Sequence, residues 1–141
     1  MVGRDGDKRW GTAGTGEPDR RYRRIPAPGE HQHAINGPSL AGFGLSGTLA
    51  SPVLTLTGSA GTIATNAGWD NAPVNGAAAA GGTTIQPLTA ALSARVGAFA
   101  LAAGSGDSAI VATLPPGTYT AQVAGANGST GIALVEVYEL R

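Results

Sequence analysis

The chain has 141 residues, room for one domain of ordinary size, and its nine basic and nine acidic residues cancel. It has no cysteine, which excludes disulfides, thiolate chemistry and cysteine-ligated zinc. No apolar run reaches the roughly 18 residues of a membrane span, and the start "MVGRDGDKRW" lacks the apolar centre of a secretory signal.

The charges are unevenly placed. Residues 1–39 carry seven basic and five acidic side chains, whereas residues 40–141 carry two and four. So sparse a charge set has little field with which to steer a polyanion, and nucleic acid is not an expected partner.

The first third has glycine or proline every few residues and no sustained apolar period. Residues 1–36 are therefore expected to form a disordered or loosely attached tail, and residues 37–141 the folded module. Within the tail, "RRYRR" (Arg20 to Arg24) has the charge to touch phosphate, but with Glu17 and Asp19 beside it the plainer reading is a solvated segment. "HQH" places His31 and His33 on one side only if the backbone is extended, and no third ligand stands at metal-binding spacing.

After "NGPSL" the pattern changes. "PVLTLTGSAGTIATNAGW" alternates Leu54 and Leu56 with Thr55 and Thr57, turns through "GSAG" and resumes around Ile63, which predicts two strands and a tight connection. Trp69 follows, large enough to lid one end of a core. "DNAPVNGAAAAGGTT" predicts a long loop, because its glycines oppose a helix through the alanines. "QPLTAALSARVGAF" is the best helix candidate, with Pro87 near its start, an apolar stripe of Leu88, Leu92 and Val96, and Gly97 at its end.

In "DSAIVATLPPGTYTAQVAG", Ile110, Ala112 and Leu114 alternate with Val111 and Thr113. Pro116 and Gly117 suit the two corners of a type II turn, so a hairpin is expected, with Tyr119, Ala121 and Val123 on one face of its second strand. "IALVEVYEL" is the strongest strand. It is apolar on both faces at its start, hence expected to be central, with Glu136 and Glu139 at exposed positions. Strands joined by short glycine-rich turns, with one short helix, predict an all-β fold: an antiparallel two-sheet sandwich, jelly-roll or Ig-like in plan.

Little of this can carry chemistry. Between Leu40 and Arg141 there is neither histidine nor cysteine, so the usual base and the thiolate nucleophile are both missing, and no enzymatic activity is expected. A carboxylate pair would have to come from Asp70, Asp107, Glu136 and Glu139. No cofactor is expected except, as an alternative, calcium: Asn66, Asp70 and Asn71 offer hard oxygens within one loop, and Asp107 a further one. The spacing fits no calcium-loop signature, and a turn recruits the same residues. Trp69 is the candidate to stack on a sugar ring from that loop.

The ordered run "GPSL", "LTL" leading to "IATN", then "GW", "DSAIVATLPPGTYT" and "TGIALVEVYEL" resembles a C-terminal β-sandwich module of large secreted or cell-surface proteins of environmental Gram-negative bacteria. That module is similar in plan to prepeptidase C-terminal domains. The resemblance covers Gly37 to Leu140 and implies a noncatalytic accessory or surface module of an exported bacterial protein, in adhesion or anchoring, with an extracellular or cell-surface location. Its implied partners are neighbouring domains of a larger exported protein. In related sequences a β-rich run leads into the Gly-Pro turn, where this chain has "GEHQHAINGPSL". The sandwich is thus expected to lack its first strand, and an edge left open invites self-association. Two alternatives stand beside the surface module: carbohydrate or calcium binding through the Trp69 loop, with a surface glycan as partner, and a self-assembling structural subunit that uses an open sheet edge.

Overall fold

The computed structural model describes residues 20–25, 29–79 and 81–140, giving the backbone path alone for Arg20–Ile25, Gly29–Asn36 and Leu140. In chain order the strands are β1 (Arg20–Ile25), β2 (Gly29–Asn36), β3 (Pro52–Gly58), β4 (Gly61–Asn66), β5 (Val74–Asn75), β6 (Thr84–Gln86), β7 (Ser108–Leu114), β8 (Gly117–Gly125) and β9 (Leu134–Leu140), with a helix α1 (Ala90–Val96) between β6 and β7. They make two antiparallel sheets, one ordered β1-β8-β3-β4-β5 and the other β6-β7-β2-β9. The expected all-β sandwich with one short helix is the fold observed.

The alternation in the sequence builds its core. Leu54 and Leu56 of β3, Ile110, Ala112 and Leu114 of β7, Ala121 and Val123 of β8, and Ala133 and Val135 at the start of β9 face one another between the sheets. Leu54, Leu56, Ile110 and Leu114 are fully buried, each worth about 2 kcal/mol of apolar transfer. β4 departs from strict alternation. Its register against β3 shifts between Leu56 and Thr57, leaving Ile63 as the extra residue of a bulge, so Ile63 and Ala64 are buried in succession.

β7 is buried on both faces because a second apolar cluster covers its other side. There Ala109 and Val111 meet Leu88, Leu92, Val96, Leu101 and Trp69. The predicted stripe thus does the expected work, although α1 begins only at Ala90. Thr89 caps it by accepting the Leu92 N–H at 3.2 Å, and Gly97, with φ +66°, closes it. Pro87 and Leu88 belong to the extended approach. Of the predicted middle loop, Val74–Asn75 pairs briefly with β4 and Thr84 opens β6.

Three expectations are corrected. First, β7 and β8 are not a hairpin: they lie in different sheets, and Pro115–Pro116 carries the chain across the sandwich. Gly117 does not take the positive φ of a type II turn but opens β8. Its reason is space, since a Cβ there would lie 3.2 Å from the Tyr119 ring, which is fastened by its hydroxyl to the Pro115 carbonyl at 2.8 Å. Proline pairs lack two amide donors, which suits a segment leaving a ladder better than one continuing it.

Second, β9 is an edge strand in the described sheet, not a central one, and Glu136 is buried at 3 % exposure. The outer face of β9 is covered near α1, so Glu136 and Tyr138 sit beneath it, with the Tyr138 hydroxyl donating to Glu136 Oε1 at 3.0 Å.

Third, the central position belongs to β2. Gly29–Asn36, assigned from composition to a loose tail, pairs with β7 along one side and β9 along the other, and Arg20–Ile25 pairs with β8. The strand expected to be missing before "GPSL" is therefore present in backbone terms. The backbone through His31 and His33 is extended, in register with Ala112 and Ile110 of β7, while the side chains of "HQH" and "RRYRR" lie outside the described residues. Composition misreads β2 because a strand flanked by β7 and β9 gains its stability from two ladders rather than from its own apolar period.

Candidate functional site

The residues singled out for binding gather at one end of the sandwich, where the loop after β4 meets the loop before β7 and the turn after β2. Asp107 organises this junction. Its side chain is fully buried and receives four donors: Oδ1 accepts the N–H of Gly37 at 2.7 Å and of Ser39 at 3.3 Å, while Oδ2 accepts the Ser105 hydroxyl at 2.6 Å and the Ser39 hydroxyl. A buried carboxylate is tolerated only when its lone pairs are met, and here the chain meets them. The "GPSL" turn thereby acquires a physical meaning. Gly37 and Ser39 supply the donors, a Cβ on Gly37 would collide with the Leu49 carbonyl at 2.4 Å, and Leu40 enters the core.

Asn66 does a similar job at the end of β4. Opposite Leu54 in register and so directed inward, it accepts the Ala109 N–H at 2.9 Å through Oδ1 and donates to the Asn71 carbonyl at 3.0 Å through Nδ2. Asn71 in turn donates its side-chain amide to the Ala67 carbonyl at 3.1 Å, and Asp70 Oδ2 accepts the Gly104 N–H at 2.9 Å. The Trp69 N–H donates to the Asp107 carbonyl, drawing the two loops together.

Asn66, Asp70, Asn71 and Asp107 are thus neighbours, as the calcium reading requires. Asn66 Oδ1, Asp70 Oδ2 and both Asp107 oxygens, however, accept from backbone amides or hydroxyls of the chain itself. Among the described residues no group of three or more histidine, cysteine, aspartate or glutamate side chains is placed to hold a metal ion. Between these loops and β3 lies an open hollow of about 370 Å³, lined by Ser51, Val53, Gly68, Asp70, Asn71 and Gly106 among others.

Trp69 is half-buried. Its ring packs on the cluster around Leu88 and Val111, and its indole N–H donates to the Ala102 carbonyl at 2.9 Å, so it lids the end of the second core as its size suggests. Among the described residues the exposed aromatic surface lies elsewhere: Phe43 is 66 % exposed, Phe99 is 46 % exposed, and their ring centroids are 5.4 Å apart. Neither stands in an alternating run, so no periodic signal marks them. Of the four carboxylates, Glu136 accepts the Tyr138 hydroxyl, Asp107 is spent on the Gly37–Ser39 turn and Asp70 accepts the Gly104 N–H.

Among the described residues, no helix is long and apolar enough to cross a membrane. Set against family models, characterised proteins and solved structures, the chain matches none of them.

Proposed function

We propose that this chain is a noncatalytic β-sandwich module serving an exported bacterial protein as an accessory or surface unit, in adhesion or anchoring. One observation carries the noncatalytic part: Asp107, the most deeply buried carboxylate among the described residues, spends both oxygens on fixing the Gly37–Ser39 turn. An acid or nucleophile needs an oxygen free to meet a substrate, and this one holds the fold together. The exported location rests on the sequence resemblance.

Fractionation of the producing cells, combined with antibody binding to intact cells, tests the location. Antibody reaching the chain on unbroken cells is expected, and recovery in the cytosol alone would remove the surface reading. The second reading, carbohydrate or calcium binding, draws on the hollow beside Asp70 and Asn71. Titration with calcium and a panel of oligosaccharides, followed by tryptophan fluorescence in a Trp10→Phe chain, where Trp69 alone reports, and by thermal unfolding, separates the two. A saturable change in either signal would favour the binding module, and flat traces the accessory one.

A further inference from the structure

Four strand edges end the two described sheets, and three carry a feature that discourages another strand. β1 holds four arginines in six residues, β5 is two residues long, and β6 is three residues long and runs into Pro87. Arginine-rich, very short and proline-flanked edges are the ordinary means of preventing edge-to-edge pairing. β9 has none of these. It is seven residues of "LVEVYEL", without proline, glycine, lysine or arginine, and among the described residues it has a strand partner, β2, along one side only. Its candidate guards are the two acidic residues, Glu136 and Glu139. Glu136 is already buried within its own chain and already accepts the Tyr138 hydroxyl, and Glu139 is half-buried, so an added strand finds much of their desolvation complete.

We infer that β9 pairs antiparallel with β9 of a second copy of this chain about a twofold axis at Val137, joining two four-stranded sheets into one of eight strands. The register follows from pleat and charge. Faces match across the twofold only when it passes through a residue, because a one-residue slip sets inward positions against outward ones. Centred on Glu136, the pairing would place two carboxylates directly opposite each other, which is destabilising. Centred on Tyr138, it would leave Leu134 and Val135 unpaired. Centred on Val137, all seven residues pair, with Glu136 opposite Tyr138, Val135 opposite Glu139 and Leu134 opposite Leu140, and no two like charges meet. The inference rests on the sheet order alone and is independent of where the chain resides.

Light scattering on the full chain across a wide concentration range should show a monomer–dimer equilibrium. Val137→Lys sets two ammonium groups face to face and is expected to weaken association about tenfold or more, as is Val137→Glu. An equal mixture of these two variants should restore a dimer, an outcome that a simple folding defect cannot produce. The absence of native cysteine adds a register probe: Val137→Cys should oxidise to a covalent dimer, while Ser129→Cys, exposed in the turn before β9, should not. A chain that stays monomeric at every concentration, a dimer indifferent to Val137→Lys, or a mixture that fails to associate would each overturn the inference.

Discussion

Asp107 shows how much one side chain can decide. Replacing it by alanine strips the acceptor from two amides and two hydroxyls at a buried junction, and Asp107→Ala is expected to cost about 3 kcal/mol or more in urea unfolding. Gly117 acts through space instead. Gly117→Ala presses a methyl group on a Tyr119 ring that its hydroxyl bond prevents from yielding, and should destabilise by about 1 kcal/mol, whereas Gly81→Ala, in open surroundings, should be neutral or slightly stabilising. With Tyr119, whose hydroxyl burial also pushes up, Tyr138 carries the alkaline pH dependence and the larger share of it. Burial first, then the charge of Glu136 and the hydrogen bond to it, push its hydroxyl well above the usual 10.0. The folded chain therefore holds this proton more tightly than the unfolded chain does. Its contribution is whole below about pH 10 and is lost as pH rises further. Unfolding measured at successive pH values above 10 should show that decline, and Tyr138→Phe should flatten it while costing about 1 kcal/mol at neutral pH for the lost donor to Glu136.

Among the elements, α1 is the one whose stability is most local. Seven residues are too few for a helix to stand alone, so its cap and its apolar stripe on β7 must both contribute. Thr89→Ala removes the cap and is expected to cost about 1 kcal/mol by thermal or urea unfolding. The helix was legible in the sequence because Pro87, its stripe and its terminal glycine lie within a few residues of one another, whereas its Thr89 cap emerged from the structure. The path from β7 to β8 was not. A Pro-Pro-Gly segment between two alternating runs describes a reversal equally well whether the runs pair in one sheet or face each other across two. Only the pairing partners, β6 and β2 for β7 but β1 and β3 for β8, distinguish the arch from the hairpin.

For the whole molecule, the decisive feature is β2 at the centre of the smaller sheet. A chain shortened to residues 37–141, the module expected from composition, would leave β7 and β9 without the strand between them, exposing two rows of unpaired backbone groups. That fragment should lack the cooperative urea transition of the full chain, and a fragment unfolding with undiminished cooperativity would mean that β2 is dispensable. The same topology sends β9 to the edge of the described sheet, where the backbone row not paired with β2 is the one offered to a second copy.

Sequence by itself determined the β-class, the core faces of β3, β7 and β8 and the helix stripe, because each is a local period written into consecutive residues. It also brought Asn66, Asp70, Asn71 and Asp107 forward, as turn residues first and prospective ion ligands second. Tertiary structure alone decided which amides and hydroxyls they fasten, that Glu136 is buried, and which described strands are central and which lie at an edge. The physical reason is range: a side chain's alternation depends on its neighbours in the chain, but the partner of a buried carboxylate or of a strand is supplied from far along the sequence, Gly37 lying 70 residues from Asp107 and Glu30 pairing with Leu140.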